Sequence, residues 1–146
     1  MGDVKHIFLA EDDDDDSQFF YEAVTDMADA ANVVRAKDGI ELMQFLHTPE
    51  TRPDIIFLDI NMPRKNGFQC LNEIRANQQY KELPVIVFST SSAADVINNM
   101  YDAGANAFVV KPSDFNEWKT IIKKVMITDW KAGSKPDLKN FPLSIS

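Results

Sequence analysis

A single cysteine, Cys70, cannot close a disulfide within its own chain, so the fold must hold without one, which suits a reducing cytosol. Basic charge is scarce: 15 Lys and Arg stand against 23 Asp and Glu, for a net charge of −8. That balance argues against a nucleic-acid surface, which needs a basic patch, and against an anionic membrane. No apolar run approaches the roughly 20 residues of a spanning helix. The start, Met1-Gly2-Asp3-Val4-Lys5-His6, lacks a signal peptide's apolar segment, and His6 stands where a myristoylation motif needs Ser or Thr. Glycine is sparse, and no strand–helix junction carries G-x-G-x-x-G or G-x-x-x-x-G-K-[ST], so dinucleotide and nucleoside triphosphate binding are not expected. Neither His6 nor His47 has a metal-ligand partner near it, and Cys70 reads as a packed thiol.

What the chain does have is a regular alternation. It is 146 residues long and 45% hydrophobic, enough for one domain with a real core. Apolar runs at about 4–10, 31–36, 54–58, 85–88 and 107–110 read as strands. Between and after them, helical spacing predicts helices over about 15–28, 39–47, 67–78, a stretch carrying Val96, Ile97, Met100 and Tyr101, and 114–127. Hydroxyls in Ser89–Ser92 are expected to cap the fourth helix, and Gly104 to stop it. Five strands alternating with five helices call for an α/β fold with a parallel sheet covered on both faces. Right-handed crossovers leave few topologies, and the doubly wound, flavodoxin-like (βα)5 order 2-1-3-4-5 fits best.

That order gathers chemistry at one end of the sheet. Ile55-Ile56-Phe57-Leu58 runs straight into Asp59, and the chain then turns at Asn61, Pro63 and Gly67. A run buried on both faces thus ends in a carboxylate where open α/β sheets bind ligands. The first strand delivers Glu11 and Asp12, the fourth Ser89 and Thr90, and the fifth Lys111. Carboxylates this close repel unless a cation intervenes. A hard divalent ion with oxygen ligands answers that need, and Mg²⁺ typically takes one or two carboxylates with a phosphate and waters. Lys111 adds positive charge and Ser89 a hydrogen bond. Such a site becomes complete when a phosphoryl group sits on Asp59, an aspartate being able to act as the nucleophile.

The acid pair Glu11-Asp12, the Asp59 strand, the Met62-Pro63…Gly67 loop, the Ser89-Thr90 strand end and the Lys111-Pro112 step together resemble the receiver domain of two-component response regulators, over about residues 4–127. The resemblance implies a phosphoacceptor at Asp59, a direct metal ligand at Asp12, an acid holding the metal through water at Glu11, and a metal-binding backbone carbonyl at Asn61. It implies a switch hydroxyl at Ser89, with Thr90 as the adjacent candidate, a phosphoryl-binding Lys111, a cis Lys111–Pro112 bond, and a switch aromatic at Phe108. The implied cofactor is Mg²⁺ or Mn²⁺. The implied partners are a sensor histidine kinase or histidine phosphotransfer protein and a downstream protein target, with neither nucleic acid nor membrane, and dimer formation on phosphorylation. A cytoplasmic phosphoacceptor domain rather than an enzyme is expected.

Two alternatives share some of these residues. A haloacid-dehalogenase-like phosphohydrolase also uses a strand-end aspartate with Mg²⁺, but Asn61 and Pro63 break its D-x-D-x-[TV] pattern. A receiver-like module that binds partners without phosphorylation is opposed by the full set Asp12, Asp59, Ser89 and Lys111. The acids Asp13–Asp16 exceed what the chemistry requires and read as a solvated helix start. Residues 1–127 are expected to form the receiver domain. Residues 128–146, too few for an output domain, read as a frayed terminus, with an arm folded back on the domain as the alternative because Trp130, Phe141, Leu143 and Ile145 are many large apolar residues for a free end.

Overall fold

The computed structural model describes residues 5–26, 31–48, 52–128, 130 and 137–143. Strands β1 (Lys5–Ala10), β2 (Ala31–Ala36), β3 (Ile55–Asp59), β4 (Val85–Ser89) and β5 (Ala107–Val110) alternate with helices α1 (Asp14–Thr25), α2 (Gly39–His47), α3 (Gly67–Ala76), α4 (Ala94–Ala103) and α5 (Phe115–Ile127). All strand pairs are parallel, in the order β2-β1-β3-β4-β5-β6, where β6 is Pro142–Leu143. The first five strands take the expected order. The sixth comes from the segment read as a frayed terminus: after a 3-10 turn at Leu138–Asn140, the chain pairs Phe108 with Pro142 and Val109 with Leu143. The described part of that segment thus lies against β5. The reason is Phe141, whose wholly buried ring meets that of Tyr101 edge-on and that of Phe108 at a tilt.

Strand periodicity divides the core in two. Successive side chains point to opposite faces. Phe8, Ala10, Ile56, Leu58, Val85, Val87 and Phe108 therefore pack under α2, α3 and α4, with Phe141 among them. Ile7, Leu9, Ile55, Phe57, Ile86, Phe88 and Val109 pack under α1 and α5, where Phe20, Phe57, Phe88 and Trp118 make edge and stacked ring contacts. β3 and β4 are buried along their whole length, while β2, on the outer side of the sheet, alternates in exposure. Phe19 and Phe68, apolar residues within α1 and α3, are exposed, because Phe19 lies one position before the buried Phe20 and Phe68 one position after the buried Gly67. Met27 lies outside the described residues, as does Ile145.

Side-chain caps set most of the helix starts. Asp13, Asp38 and Asp114 each accept from the backbone N–H three residues on, and Asn66 forms a reciprocal capping box with Gln69. The expected hydroxyl cap on α4 is absent. Its N-cap is Ala93, because Ser89 Oγ accepts from Ser91 N at 3.0 Å and Ser91 Oγ from Ala93 N at 3.1 Å, one turn too early to reach the helix. Gly104 does end α4, in the left-handed conformation at φ 101° that favours glycine. The expected cis bond at Lys111–Pro112 is also corrected: no peptide bond among the described residues is cis. The trans form is the lower-energy isomer before proline by roughly 0.5–1 kcal/mol, and from this backbone Lys111 already reaches the carboxylates described below.

Candidate functional site

Because every strand runs the same way, β1, β3, β4 and β5 deliver their last residues to one edge. Glu11 follows β1 directly, and its backbone N–H donates to Ala36 O at 3.0 Å. The side chain is 1% exposed. Asp12, next along, is exposed. Asp59 ends β3 at 3% exposure, and its Oδ1 accepts from Asn61 N at 3.2 Å. Ser89 ends β4 at 1% exposure, while Thr90 is exposed, so burial separates the two candidate hydroxyls. Lys111 N donates to Ser89 O at 2.8 Å, which ties the end of β5 to that of β4 and aims the lysine across the edge.

The loop after Asp59 is held tight. Gly67 N donates to Ile60 O at 2.9 Å, and a Cβ at Gly67 would lie 2.6 Å from the Asp59 carbonyl oxygen, so only glycine permits the return. Within this loop Arg64 takes a positive φ of 66° and pairs with Asp38, the α2 cap, at 3.0 Å. This pins the Asp59 loop to the start of α2.

The electrostatics are crowded. Lys111 Nζ lies 2.8 Å from Asp16 Oδ2, 2.9 Å from Glu11 Oε1 and 3.4 Å from Asp59 Oδ2. Burial, with Asp59 alongside, pushes the Glu11 carboxyl up from 4.5 to about 8 against the pull of Lys111. Burial raises Asp59 as well, although hydrogen bonding with Glu11 and the charge of Lys111 oppose it. Burial works against the charge of Lys111 too, but Asp16, Glu11 and Asp59 together outweigh it and hold the ammonium above its usual range. One ammonium is thus shared among three acids.

Glu11, Asp12 and Asp59 each offer a carboxylate oxygen, and these oxygens lie within 4.8 Å of one another. Hard, anionic donors this close, two of them buried, fit a divalent cation of the Mg²⁺ or Mn²⁺ type. The structure therefore brings Glu11, Asp12, Asp59 and Lys111 together, with Ser89 on the neighbouring strand end. Phe108 does not join them. It is buried on β5, its N–H donating to Phe141 O at 3.1 Å and its ring 6.2 Å from that of Phe141.

Asp16 is the site residue that sequence reasoning missed by reading Asp13–Asp16 as a solvated start. Helical spacing carried the signal: Asp16 lies four residues before Phe20, on the stripe that α1 buries.

Comparison with known proteins gives a consistent picture. The description "Response regulator receiver domain" matches residues 7–123. Response regulator Rcp1 of Synechocystis is 30% identical over 118 residues, 77% of this chain and 80% of its own. Among solved structures, the phosphorylated cyanobacterial phytochrome response regulator RcpA is similar with a TM-score of 0.79 at 34% identity, over 84% of this chain and 91% of that one. The Mn(2+)-bound form of Rcp1 is similar with a TM-score of 0.78 at 27% identity, over 91% and 99%.

Proposed function

This chain belongs to the response regulator receiver family of two-component signalling, and from that premise we propose that Asp59 is its phosphoacceptor. One observation carries the assignment. Asp59 is a buried carboxylate at the end of a central strand, set beside two further acids and within reach of a single lysine that it must share. A bare buried carboxylate is costly, and a cation and a charged ligand would complete the set. An Asp59 oxygen attacks the phosphorus of a phosphohistidine, the N–P bond breaks, the imidazole nitrogen keeps the electron pair, and an acyl phosphate forms. Lys111 and Ser89 bind the phosphoryl oxygens. Thr90, exposed on the rim, is the lesser candidate.

Asp12, Asp59 and the Asn61 carbonyl would hold Mg²⁺ or Mn²⁺ directly, with Glu11 acting through water, and the Mn(2+)-bound relative supports this choice of ion. When bound, such an ion neutralises charge on the transferring group. The donor is a histidine kinase or phosphotransfer protein, and the likeness to RcpA makes a phytochrome kinase the first to try. Output is binding of a protein target or a second copy of the chain, with Phe108 relaying the state of Ser89 to the surface of α4 and β5. Receiver domains are signalling domains, and no turnover beyond transfer to Asp59 and its hydrolysis is assigned to this one. Family membership does not favour the phosphohydrolase alternative. The receiver is assigned to residues 1–127, and of the segment after it the described Leu138–Leu143 lies against β5 as an arm. No helix among the described residues is long and apolar enough to cross a membrane, which fits the cytoplasmic assignment.

Incubation with a small-molecule phosphodonor and Mg²⁺ tests the reading. The wild-type protein should gain one acid-labile phosphate, and Asp59→Asn none. An Asp59→Asn protein that is still labelled in the same way would refute the assignment.

A further inference from the structure

The Lys111 ammonium has three N–H donors, and three carboxylates stand around it. The shortest contact is not to Asp59, which needs the lysine once it carries a phosphoryl group, but to Asp16, at 2.8 Å against 3.4 Å. Asp16 also differs from Glu11 in what it can do without the lysine. Glu11 is enclosed, whereas the Asp16 side chain is 28% exposed and can turn to water. Its backbone is fixed, because Asp16 N donates to Asp13 Oδ1 at 2.9 Å in the first turn of α1. A phosphoryl group on Asp59 would bring at least two further negative oxygens into competition for the same ammonium.

Resting on the phosphoacceptor reading of Asp59, we infer that Asp16 is a positioning residue that captures Lys111 in the unphosphorylated state and releases it to the phosphoryl group on Asp59. The capture weakens the phosphorylated state and favours return to the resting one. A phosphoryl group must draw the lysine off a competing carboxylate. Asp16 lies outside the Glu11, Asp12 and Asp59 cluster that would hold the ion, so the role inferred for it runs through Lys111.

Beryllofluoride, a tetrahedral phosphoryl mimic, tests this in the full chain with saturating Mg²⁺, read by calorimetry, with Mg²⁺ alone titrated in parallel. Asp16→Asn should bind beryllofluoride roughly tenfold more tightly than wild type, the scale of one charge-assisted hydrogen bond. Asp16→Glu, which keeps the charge, should stay nearer wild type. Mg²⁺ affinity should not rise in Asp16→Asn, because the substitution removes negative charge from the surroundings. In a Lys111→Gln background the same Asp16→Asn change should have under about twofold effect, since no ammonium is left to capture. Wild type that takes up beryllofluoride while Asp16→Asn binds it no better overturns the inference and leaves the phosphoacceptor reading intact. Equal tightening with and without Lys111 also overturns it, as plain charge removal. Wild type that fails to take up beryllofluoride at all overturns both.

Discussion

At the carboxyl edge of the sheet, Glu11 and Asp59 are buried beside each other and share one ammonium with Asp16. On the β5 flank, Phe141 is equally buried, but it meets the rings of Tyr101 at 5.1 Å and Phe108 at 6.2 Å and closes the sheet with a sixth strand. Burial has opposite consequences in the two places. Withdrawing a charge from water costs free energy that a neighbouring charge only partly returns, whereas withdrawing a ring contributes it. The edge is held in place by the rest of the fold, at a cost. The flank does part of the holding. Truncation at the flank should therefore destabilise, and neutralisation at the edge should stabilise the metal-free protein.

The largest effect is expected at the flank. Phe141→Ala should lower unfolding free energy by up to about 3–5 kcal/mol, the range for large aromatic truncations in cores. The segment can detach rather than leave a cavity, so its own docking free energy is the ceiling. A second readout separates the two cases. Phe108 N–H donates to Phe141 O, so its hydrogen exchange should accelerate sharply in Phe141→Ala, while that of Ile56, whose N–H donates to Pro84 O inside the sheet, should change only as much as global stability does. An unchanged urea midpoint together with unchanged Phe108 exchange would remove the flank's side of the contrast.

The two regions also differed in how far the sequence reveals them. The edge was readable because its chemistry dictates residue types: an acid pair after β1, an acid ending β3, a hydroxyl ending β4 and a lysine ending β5 have few other reasons to occur at those spacings. The strand order followed from alternation and handedness. Asp16 escaped because its role depends on Lys111, 95 residues away, and a carboxylate in a helix's first turn has an ordinary local explanation. The flank escaped for a different reason. A short apolar segment among prolines has no periodicity to declare a strand, and its pairing goes with the contacts of Phe141 with the rings of Tyr101 and Phe108, a property of tertiary packing. The missing α4 cap is a register effect of the same kind: hydroxyls are present in Ser89–Ser92, but the loop uses them before the helix begins.

At the edge, pH should move stability in a direction fixed by Glu11. Its carboxyl rises from 4.5 to about 8 on folding, and that of Asp59 rises too, so the folded protein holds more protons than the unfolded chain between those values. Stability of the metal-free protein should accordingly fall as pH rises through that window, by on the order of 3 kcal/mol. Mg²⁺ favours the ionised carboxylates, so adding it should flatten the fall and release protons at pH 7. Glu11→Gln should remove most of the slope and raise metal-free stability at pH 8, opposite in sign to Phe141→Ala. Urea titrations at pH 5.5 and 8, with Mg²⁺ and with chelator, would measure this. A chelated protein equally stable at both values would mean that the buried acids are not held at a cost.

Helix α4 joins the two regions, since it starts just beyond Ser89 and carries Tyr101 to the flank. Its start is the one helix N-terminus among α1 to α5 without a side-chain cap. Ala93 is exposed and already in extended backbone at φ −61° and ψ 136°, so a hydroxyl there would meet no clash and could accept from a first-turn N–H. Ala93→Ser should add about 0.5–1 kcal/mol and slow exchange at Val96 N–H, the third helical position. The gain is the smallest of the three. It bears on the contrast because it stabilises the start of α4 without touching a charge at the edge or a ring at the flank. If Ala93→Ser also weakens beryllofluoride binding, the uncapped start has to move when Ser89 engages the phosphoryl group, and edge and flank are coupled through α4. If binding is unchanged while stability rises, α4 is a rigid spacer, and the two regions answer to different selective demands.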